Sequence, residues 1–143
     1  MLNTHIPMTA SWSTVLPDNH ARIGISRGRP RRQSGYRVYS ALAPGEWWNK
    51  VDIREFHALY MRQLSFLDPA KVLSDLHDLA GDRIPTLLCF ERLAEPEAYC
   101  HRAFVANWFK TSLGVDVEEF GAQPNCIGCF HPKFPPDLRP NAD

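Results

Sequence analysis

Apolar residues recur along this chain with two different periods. Ile53, Phe56, Tyr60 and Leu64 follow one another in steps of three and four, which places them on one stripe and predicts a helix from about 46 to 64. Val72, Leu73, Leu76 and Leu79 repeat the pattern. Ahead of them Asp68 offers an N-cap and Pro69 suits a first helical position, and Gly81 behind them suits a C-terminal cap. A third helix is expected over about 97–113, with Phe104, Val105, Trp108, Phe109 and Leu113 as its stripe and Gly114 as its end. Between the helical stretches lie short apolar runs. Residues 85–91 form the strongest, short and nearly all apolar, as a central strand covered on both faces requires. Residues 22–26 predict a second buried strand. Weaker strand signals fall at 8–12, 37–42 and, as an edge, 115–120, with a turn at 17–20.

Strands alternating with helices predict a three-layer, Rossmann-like α/β domain with a small, mainly parallel sheet over residues 1–120. The remainder, 121–143, is proline-rich and reads as an irregular tail. A chain of 143 residues suits one domain with one core, and 44% hydrophobic residues suffice to build it. In such sheets, sites lie outside the carboxyl ends of the strands. If 22–26 and 85–91 are parallel neighbours, that rule brings Ser26, Arg27 and the loop after them onto the same rim as Cys89, Glu91 and Cys100-His101-Arg102.

Charge narrows the partners. Sixteen Lys and Arg balance sixteen Asp and Glu, so the whole-chain charge predicts no general affinity for nucleic acid or membrane. No apolar run approaches the length of a membrane helix, and the first twelve residues lack the pattern of a secretory signal. A cytoplasmic, reducing setting is therefore expected, with Cys89, Cys100, Cys126 and Cys129 as thiols, ligands or reactive groups rather than disulfides. The distribution of charge is more telling. Arg22, Arg27, Arg29, Arg31, Arg32 and Arg37 occupy a stretch with no acidic residue, and Gly28 and Gly35 let its backbone approach a ligand. Arginine's planar fork suits phosphate and carboxylate, so Arg27, Arg29 and Arg31 are candidate contacts to an anionic ligand, a nucleotide or a nucleic acid, with Ser26 beside them.

Cys100 is expected in the first turn of the third helix, where the helix dipole and Arg102 favour a thiolate. As a nucleophile it would take His101 and Glu91 as proton partners. The plainer alternatives are that Cys100 fills a junction and that His101, on the stripe with Phe104 and Trp108, is a core residue. Arg102 is a candidate to pair with Glu91 or to bind an anion at the helix N-terminus. Cys89 reads mainly as core, although a pair with Cys100 is open. In the tail, Cys126-Ile127-Gly128-Cys129 presents two thiols across a glycine turn, and His131 follows, so Cys126, Cys129 and His131 form a candidate zinc set that lacks a fourth ligand. Neither a phosphatase-type loop, a Walker motif nor a dinucleotide-binding glycine motif is present.

Five pieces together resemble the family called domain of unknown function 488: Thr9-Ala10-Ser11-Trp12, Ile25 through Arg31, Leu67-Asp68-Pro69, Leu87-Leu88-Cys89-Phe90-Glu91 and Cys100-His101-Arg102. They span about residues 8 to 120. The resemblance implies a small cytoplasmic α/β domain whose signature residues meet at the rim, and it implies no reaction. The expected function is an enzyme acting on a nucleotide, nucleic acid or other anionic substrate. A non-catalytic nucleic-acid-binding module and a zinc-binding interaction protein are the alternatives.

Overall fold

The computed structural model describes residues 2–95 and 99–140. Five strands form one all-parallel sheet: β1 (Met8–Ser11), β2 (His20–Gly24), β3 (Arg37–Val38), β4 (Ile84–Cys89) and β5 (Glu118–Glu119), in the spatial order β3-β2-β4-β1-β5. Three helices accompany it: α1 (Ile53–Ser65), α2 (Pro69–Ala80) and α3 (His101–Leu113). The chain is thus an α/β domain of Rossmann-like type. β2 and β4 are parallel neighbours, with Gly24 opposite Leu88, and β1 flanks β4 on its other side, with Ser11 opposite Cys89. The condition for a shared rim is met.

The two faces of the sheet are covered unequally. Ala21, Ile23, Ile25 and Leu87 point to one face and join a single cluster with Tyr60 and Leu64 of α1, Val72 and Leu76 of α2, and Phe104, Val105 and Phe109 of α3. The opposite face carries a smaller cluster of Ala10, Trp12 and Leu88, with Leu16, Tyr36 and Phe120 against it. Gly24 is needed there, because a Cβ at that position would collide with the Trp12 ring. Covering on this face comes from two irregular crossovers, residues 12–19 between β1 and β2 and residues 25–36 between β2 and β3.

The helix boundaries follow their caps. The expected helix from 46 divides into a 3₁₀ turn, Glu46–Asn49, and α1 beginning at Ile53, because Asp52 caps α1 by accepting the Glu55 amide at 2.8 Å. Asp68, Pro69 and Gly81 bound α2 as anticipated, Gly81 at φ +67°. α3 starts at His101 with Cys100 as its N-cap rather than in its first turn, and ends at Gly114 at φ +66°. Residues 96–98 of the expected third helix lie outside the described residues. No helix among the described residues is long and apolar enough to cross a membrane.

The segment after 120 has an irregular backbone with two 3₁₀ turns, Gly128–Phe130 and Pro136–Leu138, yet it contributes to the core. His131, Lys133 and Phe134 are buried, and Phe134 meets Phe104 edge-on at 5.4 Å between ring centres. The Lys133 carbonyl accepts the Cys100 amide at 3.3 Å, so this strap holds the start of α3.

Candidate functional site

The carboxyl ends of β2 and β4 and the start of α3 enclose a cleft of about 430 Å³. β2 delivers Ser26, Arg27 and Gly28 to it, β4 delivers Cys89, Phe90 and Glu91, and Tyr99, Cys100 and His101 come from the start of α3. The fourth wall is the stretch from Trp48 to Phe56, which includes the N-terminus of α1. A broader, shallower recess of about 730 Å³ lies elsewhere, beside α2 and the N-terminal segment, and contains no thiol.

At the floor of the cleft Cys89 and Cys100 are paired as a disulfide, both nearly inaccessible. This differs from the expectation of unpaired thiols. Their Cα atoms are 7.3 Å apart. The His101 Nε2–H donates to the Ile25 carbonyl at 2.7 Å, since a carbonyl only accepts. That assigns the proton to Nε2 and leaves the Nδ1 lone pair facing Cys100 Sγ at 3.8 Å. Burial drives the His101 pKa down to about 4, against the hydrogen bond it donates to the Ile25 carbonyl and with the help of the Arg102 charge, so the ring is neutral at pH 7. The two sulfurs and the imidazole nitrogen all lie within 4.8 Å of one another.

Arg102 is placed otherwise than expected. It does not pair with Glu91 and does not reach the cleft. One residue further along α3 rotates it by about 100°, and its side chain is fully buried under the helix. There Nε and Nη2 each donate to the Glu119 carboxylate at 2.8 Å, and Nη1 donates to Cys89 Sγ at 3.1 Å. Thr9 Oγ1 donates to Glu119 Oε1 at 2.8 Å and accepts from His131 Nε2 at 2.7 Å. The Lys133 amide donates to His131 Nδ1 at 3.0 Å, which completes the imidazole's bonding. Burial raises the Glu119 pKa, but the nearby His131 Nε2 edge at 3.4 Å, the hydrogen bonds from Arg102 and the Arg102 charge outweigh it and hold the carboxyl at about 2. Burial likewise pushes the His131 pKa down, against the hydrogen bond and charge of Glu119, and a ring whose Nδ1 accepts the Lys133 amide is a neutral one.

The other predicted residues separate. Ser26 lines the cleft, but its hydroxyl is committed: it accepts from Trp12 Nε1 at 2.9 Å and donates to the Gly28 carbonyl at 2.6 Å. Arg27 stays at the mouth, with Nη1 on the Pro44 carbonyl at 2.9 Å. Arg29 and Arg31 are exposed and do not line the cleft. The reason is topological: β2 and β3 are parallel, so the loop between them must return along the back face, where Gln33 bonds to Trp12 and Arg22.

The tail zinc set does not assemble. Cys126 and Cys129 are free and partly buried, whereas His131 turns inward with both ring nitrogens engaged. Among the described residues, Cys89, Cys100 and His101 form the metal-capable group of three. Sequence reasoning undervalued Cys89 because a cysteine in an apolar strand looks like packing. It missed Glu119 and Thr9 because their partners are distant in sequence. No protein-family model, curated protein or solved structure matches this chain.

Proposed function

We propose that the chain is a cysteine-dependent enzyme that acts on a small anionic substrate in this cleft. Cys89, Cys100 and His101 form its reaction centre. The observation that carries the reading is their convergence at the floor of a cleft whose mouth holds Arg27. Packing alone does not call for two sulfurs and a neutral imidazole with a free lone pair at the end of a strand. Arg27 attracts the anion, and the N-terminal ends of α1 and α3 both face the same space and favour negative charge. The apolar wall from Trp48, Ile53, Phe56 and Phe90 suits the carbon skeleton of a small molecule. The motifs that resemble domain of unknown function 488 supply Ser26, Arg27, Cys89, Glu91, Cys100 and His101 of this lining.

Charge-selective alkylation tests the reading. Reduced, metal-free protein is treated with anionic iodoacetate or neutral iodoacetamide, and each cysteine is followed by peptide mass. Cys89 or Cys100 should prefer iodoacetate over iodoacetamide by about fivefold more than Cys126 and Cys129 do, the equivalent of ~1 kcal/mol of attraction. Arg27→Ala should remove the preference. Equal ratios at all four cysteines would overturn the anion-binding cleft.

A further inference from the structure

Three features of the floor of the cleft go beyond a thiol pair. First, the Cys89 and Cys100 Cα atoms are 7.3 Å apart, beyond the roughly 4.4–6.8 Å that disulfides usually span. The backbone therefore leaves room for a third body between the sulfurs once they are reduced. Second, His101 brings an sp² nitrogen to the same point. Its Nε2–H is held by the Ile25 carbonyl, the outer bond that metal-ligating imidazoles ordinarily make, and this aims the Nδ1 lone pair at the sulfurs. Third, Arg102 Nη1 donates to Cys89 Sγ from beneath, an outer hydrogen bond that favours a thiolate, while Glu119 balances the guanidinium charge.

We infer that in the reduced chain Cys89 Sγ, Cys100 Sγ and His101 Nδ1 bind one divalent transition-metal ion, with a further coordination position open to the cleft. Two thiolates and one imidazole suit zinc, and a three-ligand set with an open position belongs to catalytic rather than structural zinc sites. Binding replaces two thiol protons, which pass to solvent, and two thiolates balance the charge of the ion. The disulfide cannot bind in this way. Each bond formed between the sulfurs removes two electrons and two protons, and a dithiol reductant must return them before metal enters. The site is thereby gated by thiol redox state. This inference rests on the reading of the cleft as the working site and names the chemistry of its centre.

The test uses cobalt(II) as the probe. Full-length protein is reduced with a dithiol, freed of reductant and metal, and titrated with cobalt under anaerobic conditions. The expected result is one cobalt per chain, with a thiolate-to-cobalt charge-transfer band in the near ultraviolet, displaced by zinc. Cys89→Ser and Cys100→Ser should each lose the band or weaken binding more than about tenfold, and His101→Ala should weaken it similarly. The double substitution Cys126→Ser, Cys129→Ser should leave it unchanged. Protein left oxidised should show no band until a dithiol is added. In the wild-type chain, where no variant can fail to fold, zinc should slow alkylation of Cys89 and Cys100 and leave Cys126 and Cys129 unaffected. No thiolate band in the reduced protein would overturn the inference, and so would a band that follows Cys126 and Cys129. Because the alkylation test for the anionic cleft is run without metal, it can succeed while cobalt fails to bind, or fail while cobalt binds, so the two readings fall separately.

Discussion

His101 and Arg102 stand side by side at the start of α3 and are both buried, but they lead to two polar clusters of opposite character. His101 looks toward the cleft with a lone pair that only a sulfur faces. Arg102 looks under the helix into Glu119, Thr9 and His131, where donors and acceptors meet one another. Among the described residues every buried side-chain nitrogen and oxygen has a neighbour within hydrogen-bond reach, but that of His101 Nδ1 is a disulfide sulfur, which has no proton to donate. The difference separates two uses of buried polarity. A closed network specifies how β1, β5, α3 and the strap of residues 131–134 fit together. A cluster with unused valences beside a cleft can meet something from outside. Cys89 touches both, through Arg102 on one side and Cys100 on the other.

If the comparison holds, stability should depend on the inner network and reactivity on the cleft. The largest effect is expected from Glu119→Gln, which strands the Arg102 charge in the interior. It should cost about 3–5 kcal/mol in urea unfolding, while Cys100→Ser under reducing conditions should cost under ~1 kcal/mol. Similar losses for both would erase the distinction.

Acid should act on the same network. The folded-state pKa of Glu119, about 2, lies below its ordinary 4.5. The native state therefore binds fewer protons than the unfolded one between those values. The stabilisation is complete above pH 4.5 and is lost as the pH falls through about 2. The stability gap between wild type and Glu119→Gln should shrink by about 3 kcal/mol across that window. A gap independent of pH would show that the charge of Glu119 is not what the network uses.

Thr9→Val keeps the shape of the side chain but removes the hydroxyl between Glu119 and His131. It should cost about 1–3 kcal/mol by denaturant titration, with the alkylation rates of Cys89 and Cys100 unchanged. Altered rates would show that the two clusters are coupled through Arg102. The smallest effect is expected from Arg29→Ala with Arg31→Ala, which should leave both stability and the iodoacetate preference unaltered, since neither side chain lines the cleft. Loss of the preference would bring the whole loop into the site.

Much of this was legible from local pattern. The stripes at Ile53 through Leu64 and Val72 through Leu79, the cap at Asp68-Pro69, the glycines at 81 and 114 and the apolar run of β4 each state their structure within a few residues. The Asp52-to-Glu55 spacing was a readable cap as well, and it corrects the start of α1. Alternation predicts parallel strands, and once the structure makes β2 and β4 neighbours the carboxyl-end rule gathers Ser26, Arg27, Cys89, Glu91, Cys100 and His101 at one cleft. The tertiary structure decided what each does there, because that depends on partners far along the chain. Arg102 met Glu119 rather than Glu91 because the sheet places β5 and its buried carboxylate against α3, which no spacing along the chain states. His131 went to Thr9 rather than to Cys126 and Cys129 because the strap crosses the start of α3. The arginine loop left the rim after Gly28 because a parallel neighbour obliges the chain to return. Short-range sterics and hydrophobic period are written in adjacent residues, whereas the pairing of buried charges and lone pairs exists only once the sheet, helix and strap are brought together.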